Sequence, residues 1–257
     1  MFELFLAELR RTWIQFRRYP VEAIAEIFVY SAVFYGLFLS ARYIAGPTFQ
    51  LGNRLDSIVI GYVLWNLMLF IITDIAGNLQ YEAQTGTLEQ LFLSRFGAIK
   101  VFLMRTLASL MLRMVFIISI LCIIMALTGS RLNFPPSLLL PFVTVLMAGY
   151  GIAFAMGSLA LLFKRAERLL VMFQFLLLFS LTTPTETWKG SLQILANLLP
   201  LTPGAGLLRD LMARGESLNF TKLVIAFVNG GIYFAVGLLL FRIAERVAKR
   251  RGILSGY

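Results

Sequence analysis

Long runs of apolar residues, separated by short polar stretches, dominate the chain from residue 21 to residue 241. A helix of about 20 apolar residues crosses the hydrocarbon core of a bilayer. Runs that reach or approach this length predict six membrane-spanning helices, near 21–41, 58–79, 107–128, 137–162, 168–184 and 222–241. The fifth run is short for a span. The pattern therefore predicts an all-α integral membrane protein with a single transmembrane domain, whose six-span part covers residues 20–241.

The residues before the first run follow a different pattern, in which apolar side chains recur every three or four positions with arginines between them. The apolar positions are Phe2, Phe5, Leu6, Leu9, Trp13 and Phe16. This spacing predicts an amphipathic helix within residues 1–19 that lies in the membrane interface. The alternative is the start of a longer first span, but Pro20 favours a break.

Two connections between the predicted spans are long enough to hold structure of their own. Residues 80–106 contain a stretch that is helical in character but has too few apolar residues to span. Residues 185–221 contain two partly apolar segments, 188–199 and 203–214, each about 18 Å long if helical. These segments form either a re-entrant hairpin or a pair of helices lying flat on the outer surface, and the sequence leaves both open.

The distribution of basic residues predicts the orientation. The net charge is +10, from 23 Lys and Arg against 13 Asp and Glu. With the N-terminus inside, fifteen of the 23 basic residues fall in inner segments and seven in outer segments. Because cytoplasmic segments retain Lys and Arg, both termini are expected in the cytoplasm, with 242–257 as a basic tail. The predicted location is the plasma membrane, the inner membrane in a bacterium, and the positive charge is expected to meet lipid rather than nucleic acid.

Composition excludes several kinds of chemistry. The chain has no histidine, and its one cysteine, Cys122, lies inside an apolar run. It contains no Gly-x-x-x-x-Gly-Lys-Ser/Thr sequence that would hold nucleotide phosphates. We therefore predict no catalytic residues, no bound cofactor and no metal site, and expect that any ATP used is hydrolysed by another subunit.

Four charged residues nevertheless lie in or at the edges of the predicted spans: Glu22, Glu26, Asp74 and Arg113. Isolated charges in the bilayer are costly unless they are paired or reached by water. Counting from the inner ends of the spans puts Glu26, Asp74 and Arg113 at about the same depth, on the order of 8 Å. We predict an Asp74–Arg113 ion pair with Glu26 as competitor or third member; the alternative is that these side chains extend to the inner headgroups.

Small residues recur at four-residue spacing on the fourth predicted span, at Gly149, Ala153 and Gly157. Such a stripe lets two helices approach closely. It predicts a packing surface, either within the chain or at a contact with a second copy.

The stretch Glu-Ala-Gln-Thr-Gly-Thr-Leu-Glu-Gln-Leu-Phe-Leu, residues 82–93, resembles the membrane subunits of type-2 ATP-binding-cassette (ABC) exporters. Those permeases carry a similar Glu-x-x-x-Gly-Thr-Leu-Glu-x-Leu segment between their second and third spans. The resemblance extends to the N-terminal helix, the six spans and the segment Asn197–Pro203. It implies that a cytoplasmic coupling helix, which docks on the nucleotide-binding subunit, includes Gly86, Thr87, Leu88, Glu89, Gln90 and Leu91.

The resemblance also implies a function and a set of partners. The chain would be the permease of an exporter, with separate ATPase subunits holding ATP and Mg²⁺ and a second permease copy or homologous chain completing the conduit. An amphiphilic or hydrophobic substrate is expected: a drug-like molecule, an antibiotic or a lipid. The alternatives are a permease for lipid-linked polysaccharide, and a secondary transporter or channel that uses Glu26, Asp74 and Arg113. An enzymatic role is not expected.

Overall fold

The structure, a computed structural model, describes residues 2–45, 53–85, 97–163 and 167–250. In these ranges all regular secondary structure is helical. The α-helices, in chain order, are α1 (Phe2–Arg18), α2 (Pro20–Ala45), α3 (Asn53–Ile72), α4 (Asn78–Gln84), α5 (Ala98–Thr128), α6 (Leu139–Leu162), α7 (Glu167–Thr182), α8 (Ser191–Leu198), α9 (Thr202–Met212) and α10 (Phe220–Arg250). A π-helical turn, Thr73–Gly77, joins α3 to α4, and 3-10 turns at Pro136–Leu138 and Thr185–Thr187 precede α6 and α8.

Several stretches in the described part of the chain are long and apolar enough to cross a membrane. They are Pro20–Ile44, Arg54–Glu82, Ile99–Thr128, Pro136–Leu162 and Phe220–Arg250. These five coincide with predicted spans one to four and six. The predicted fifth span corresponds to α7, whose 16 residues rise about 24 Å, short of a core of about 30 Å. The bent pair α8–α9 would add a sixth stretch if counted as one, so length and composition give five to six.

The exposed surface of these helices is apolar, as expected where lipid is the solvent. In α2 only 11% of the most apolar window is buried, against 67% for Arg54–Glu82. Val21 is 76% exposed and Tyr43 is 90% exposed. Water-soluble monomers rarely expose contiguous apolar surface on this scale. The helices are therefore compatible with a multi-pass membrane protein.

Helix ends differ from the ends of the apolar runs. The break between α1 and α2 falls at Tyr19, with Pro20 in the first turn of α2. Helix α5 begins at Ala98, well before the predicted start of the third span at 107, and α10 continues to Arg250. An apolar run marks only the part of a helix inside the hydrocarbon. The backbone hydrogen bonds continue wherever polar residues such as Lys100 and Arg105 also favour helix.

The core is organised around one continuous rod formed by α3, the π turn and α4. Apolar side chains recur along it at intervals of one to four residues, and each is at most 1% exposed: Leu67, Met68, Ile71, Ile75 and Leu79. Helices α5, α6 and α7 pack against this rod. Because the rod is closely packed on its neighbours, one end of it cannot move unless the surrounding helices move as well.

The small-residue stripe on α6 faces this rod. A methyl group added at Gly149 would lie 2.6 Å from Met68 Sδ, and one at Gly157 would lie 3.0 Å from Leu79 Cδ1. Ala153 between them is fully buried. The stripe is thus a packing surface within one chain, where small side chains let α6 sit directly on the bulky residues of the rod.

A second close contact joins α6 to α10, which pack along most of their lengths. A methyl group at Gly237 would overlap the Gly151 carbonyl, and one at Gly151 would overlap the Tyr233 carbonyl. The two backbones therefore touch here, and any side chain would force the helices apart.

We expect Gly237→Ala to separate α6 from α10 and to lower the free energy of unfolding by about 1–3 kcal/mol or more. The thermal unfolding midpoint of the purified chain in mild detergent measures this. Gly36→Ala on α2 is the matched control: nothing lies within 4 Å of the added methyl group. It should be neutral or slightly stabilising, because alanine favours helix over glycine. Equal midpoints for the two variants would contradict the close α6–α10 contact.

Candidate functional site

The four charged residues predicted in the spans line two adjoining cavities. Glu22 and Glu26 are four residues apart near the start of α2, so they share one face. Asp74 lies in the π turn and Arg113 lies midway along α5. The two glutamates, Asp74 and Arg113 thus come from three different elements, so the site depends on how α2, α5 and the rod pack together.

The larger cavity has a volume of about 490 Å³ and lies between α2, α3, the π turn, α5 and α7. Glu26, Asp74 and Arg113 contribute to its wall. The smaller cavity, about 400 Å³, lies between α1, α2 and α5 and includes Glu22. Glu26, Phe70 and Arg113 line both. These three side chains therefore form the partition between the two spaces.

Two of the three partition residues, Glu26 and Arg113, form a bidentate ion pair. Arg113 Nη1 donates to Glu26 Oε2, and Nη2 donates to Oε1. The Arg113 guanidinium also lies 4.7 Å from the centroid of the Phe70 ring and 5.5 Å from that of Phe116. The paired side chains are 21% (Arg113) and 29% (Glu26) exposed. Carboxylate and aromatic faces together replace the water that the cation would otherwise bind.

The predicted Asp74–Arg113 ion pair is therefore not the one that forms. Depth in the membrane placed Glu26, Asp74 and Arg113 at one level, but it did not say which helix faces meet. Helix α2 packs against α5, so Glu26 is the residue that faces Arg113. The Asp74 carboxylate instead accepts hydrogen bonds from Asn78 Nδ2 at 3.1 Å and from Ser109 Oγ at 3.2 Å.

One face of α5 carries a polar ladder, defined here as Arg105, Ser109 and Arg113. The three residues are spaced by four, so they lie one above another over about 12 Å. Each contacts a different part of the molecule. Arg105 pairs with residues of α4 and α1, Ser109 bonds Asp74 of the π turn, and Arg113 pairs with Glu26 of α2. Through this ladder α5 is joined to α1, α2, the π turn and α4.

Arg105, at the N-terminal end of the ladder, connects the two helices on either side of the segment between α4 and α5. Arg105 Nη1 lies 2.7 Å from Glu82 Oε1, and Arg105 Nε lies 3.6 Å from Glu8 Oε1 on α1. All three side chains are 12–14% exposed. Glu82 is also the first residue of the stretch that resembles the exporter permeases. The pair therefore ties together the two helices that enter and leave that segment, and attaches both to α1.

The predicted coupling residues fall inside that segment. Gly86, Thr87, Leu88, Glu89, Gln90 and Leu91 lie outside the described residues. The structure describes the ion pair between Glu82 and Arg105, which lie on either side of this segment.

A second ionic network lies at the other end of the rod, around α9. Arg209 is fully buried, and its Nη1 lies 2.7 Å from Glu186 Oε2. Its Nε donates to the Ser57 carbonyl at 3.3 Å, and its Nη2 donates to the Leu181 carbonyl. One side chain thus joins α9 to the N-terminal part of α3, the end of α7 and the turn before α8.

The network extends outward through Glu186 and Asp210. Arg214 Nη2 lies 2.8 Å from Glu186 Oε1, and Arg214 also pairs with Asp210. Lys222 Nζ on α10 lies 2.6 Å from Asp210 Oδ2. Burial alone would lower the pKa of the Arg214 guanidinium, but the Glu186 and Asp210 carboxylates outweigh it and raise that pKa.

This network was not predicted from the sequence, because Arg209 and Arg214 lie in the predicted connection 185–221 and Lys222 lies at the edge of the last predicted span, where they counted only among the outer charges. The sequence of α9 gave no signal of it: the helix is amphipathic, with Arg209 and Asp210 on its polar side, and only the structure shows that almost the whole helix is buried. A helix of that kind can hold charge only if the charge is matched inside the protein.

These two sites provide charge, aromatic surface and mechanical connection. Among the described residues, no group of three or more His, Cys, Asp or Glu could hold a metal ion. The cavities can bind a molecule by charge and stacking, and the ladder can transmit movement between helices.

We expect Arg209→Met to destabilise the fold by about 3–5 kcal/mol, because Glu186 loses one of its two cations and two carbonyls lose their donor. The thermal unfolding midpoint of the purified chain in detergent measures this. Arg131→Met, at an exposed position between α5 and α6, is the matched control and should change stability by less than about 0.5 kcal/mol. An unchanged unfolding midpoint for Arg209→Met would show that the network is not structural.

Comparison with known proteins adds no family to this picture: no protein-family model matches the chain, and no curated protein matches it significantly.

Proposed function

We propose that this chain is the permease subunit of an ATP-driven exporter, in which separate ATPase subunits hold ATP and Mg²⁺. The observation that carries the proposal is the polar ladder of α5. It connects the base of the Gly86–Leu91 segment, where the exporter resemblance lies, to the partition between the two cavities.

A coupling mechanism follows from this connection. An ATPase that pushes on the 86–91 segment would displace α4 and α5 together, because Glu82 and Arg105 join them at its base. Stiff helices carry such a displacement without loss over the 12 Å or so to Arg113. The Glu26–Arg113 pair would then be strained or opened, and the space available to a substrate would change.

The proposed topology has six spans, with both termini in the cytoplasm of a plasma membrane. Helix α1 would lie on the inner surface, where its exposed Trp13 and Ile14 meet acyl chains and its arginines meet headgroups. Helix α7 would serve as the short fifth span. The α8–α9 pair, bent by 101°, would sit at the outer face as a re-entrant or surface hairpin. Burial of Arg209 within the protein favours the re-entrant form, since that form needs its polar groups matched by protein.

The proposed substrate is amphiphilic or hydrophobic, because the cavity walls combine charge with aromatic rings. A second copy or a homologous chain would complete the conduit. A lipid-linked polysaccharide is the alternative substrate within the same mechanism.

A second candidate is an ion-coupled secondary transporter. Asp74 supports it, because the residue lines a cavity from a π turn, and π turns inside helices often mark functional sites. The two mechanisms separate on purification in mild detergent. Co-elution of an ATPase subunit supports the exporter. Transport driven by an ion gradient, with no ATPase bound, supports the secondary transporter.

We predict that Leu88→Asp and Glu89→Arg abolish substrate-stimulated ATP hydrolysis in a complex reconstituted with the co-purifying ATPase. Leu88→Asp places a charge on the proposed docking surface, and Glu89→Arg reverses one. The variants should still elute as a single species. Coupling at the wild-type level in both would contradict the assignment of this segment.

We predict that Arg105→Gln uncouples hydrolysis from transport while leaving the ATPase bound, because the base of the segment loses its tie to α4 and α1. Transport per ATP hydrolysed should fall at least about fivefold, equivalent to the 1 kcal/mol coupling typical of residues in one network. Lys100→Gln, at an exposed position on the same helix, is the matched control and should leave the ratio unchanged.

The exchange variant Arg105→Glu with Glu82→Arg gives the sharper test. It restores an ion pair between α4 and α5 but sets a carboxylate at position 105 beside Glu8, so it should recover part of the coupling that each single change loses. Equal losses in the single and double variants would show that the residues act separately.

A further inference from the structure

The charges around the two cavities are unbalanced. Among the described residues that line them, Glu22, Glu26 and Asp74 supply three carboxylates, and Arg113 supplies one guanidinium. Arg113 is engaged by Glu26 in a bidentate pair, so its charge is already matched.

Among the described residues that line the larger cavity, Asp74 is the carboxylate with no ion-pair partner. Its hydrogen-bond donors Asn78, Ser109 and Thr106 are neutral. Arg105 acts on it only at longer range, since Arg105 itself pairs with Glu82 and Glu8. An unmatched carboxylate on the wall attracts a cation that enters the cavity, because a charge partly surrounded by protein is screened less than one in bulk water.

The rest of the wall also suits a cation. Trp65, Phe70 and Phe175 line the larger cavity. One ring of this wall already holds a cation: the Arg113 guanidinium lies 4.7 Å from the centroid of Phe70. The faces of indole and phenyl rings attract positive charge, and most strongly where the cation has lost its water.

The cavity is also open sideways. Phe175 on α7, which lines it, is 54% exposed. The adjoining cavity reaches Tyr19 and Glu22, at the junction of α1 and α2. In the proposed topology this junction lies at the inner membrane surface, where anionic lipids concentrate cationic amphiphiles.

We infer that the larger cavity binds a lipophilic monovalent cation, with Asp74 facing its charge and the aromatic wall facing its apolar groups. As a statement about the exported substrate, the inference rests on the proposed function. As a statement about binding, it stands on the cavity itself. The separation of the Glu26–Arg113 pair would expose a second carboxylate and extend the site towards Glu22.

The probe is radiolabelled tetraphenylphosphonium, bound to the purified full-length chain with any subunits that co-elute, in detergent and without nucleotide. Protein-free micelles give the background. Triphenylphosphine oxide, a neutral molecule with the same aromatic groups, serves as competitor. The cation should bind at least about tenfold more tightly than the neutral competitor, the factor expected of a desolvated cation–π contact together with an unmatched carboxylate.

Two variants should move this discrimination in opposite directions. Asp74→Asn should reduce the preference for the cation about tenfold, whereas Arg113→Gln should increase it, because Glu26 is released. Glu216→Gln, which removes an exposed carboxylate far from the cavity in sequence and outside its wall, is the matched control and should have no effect. Because discrimination is a ratio of affinities, a variant that folds poorly loses sites without changing it.

Equal affinity for the cation and the neutral competitor would overturn the inference, and so would an unchanged preference in Asp74→Asn. Either result would leave ATP coupling untouched, so the exporter assignment would survive. Cation binding in a chain to which no ATPase binds would have the reverse meaning: the cavity inference would hold and the proposed function would fail.

Discussion

Charged side chains inside an apolar helix bundle are stable only when protein groups replace the water they have lost, and the polar ladder of α5 meets this requirement at three levels. Arg105 is matched by carboxylates from α1 and α4, and Arg113 by a carboxylate from α2. Ser109 between them serves the Asp74 carboxylate of the π turn. Because each partner comes from a different helix, none of these helices can shift on α5 without leaving a charge unmatched.

The rod of α3, the π turn and α4 is the second half of this arrangement. Its apolar residues are buried against α5, α6 and α7, so it cannot bend freely. The π turn changes the direction of side chains at the level of the larger cavity, and it is there that Asp74 and Thr73 reach the wall. The rod and α5 then meet again through Glu82 and Arg105. Two stiff elements joined at the base of the segment between α4 and α5 and at the cavity form a frame suited to carrying force.

The part of the fold that could be predicted from the sequence is the part that apolar runs indicate, namely which stretches of the chain avoid water. The runs marked the long helices, and Pro20 marked the break after α1, because both signals are local. The pairing of Arg113 with Glu26 could not be predicted, since it depends on which helix faces meet and not on depth. The π turn at Thr73–Gly77 has no signal in the apolar pattern, and without it the position of Asp74 could not be placed. Arg209 was misjudged for a similar reason: a charge in a predicted connection looks exposed until the burial of the surrounding helix is known.

The two ends of the molecule differ in how firmly their charges are held. Arg209 is fully buried, and its carboxylate partner Glu186 is 9% exposed, whereas the side chains of Glu26 and Arg113 are between a fifth and a third exposed. Separating a buried pair leaves charges with no solvent, while a pair within reach of water loses much less on opening. The same displacement therefore requires less free energy at the cavity partition than at the network around α9. A force applied to the α4–α5 base would open the cavity end first, with the Arg209 network acting as the fixed point of the frame.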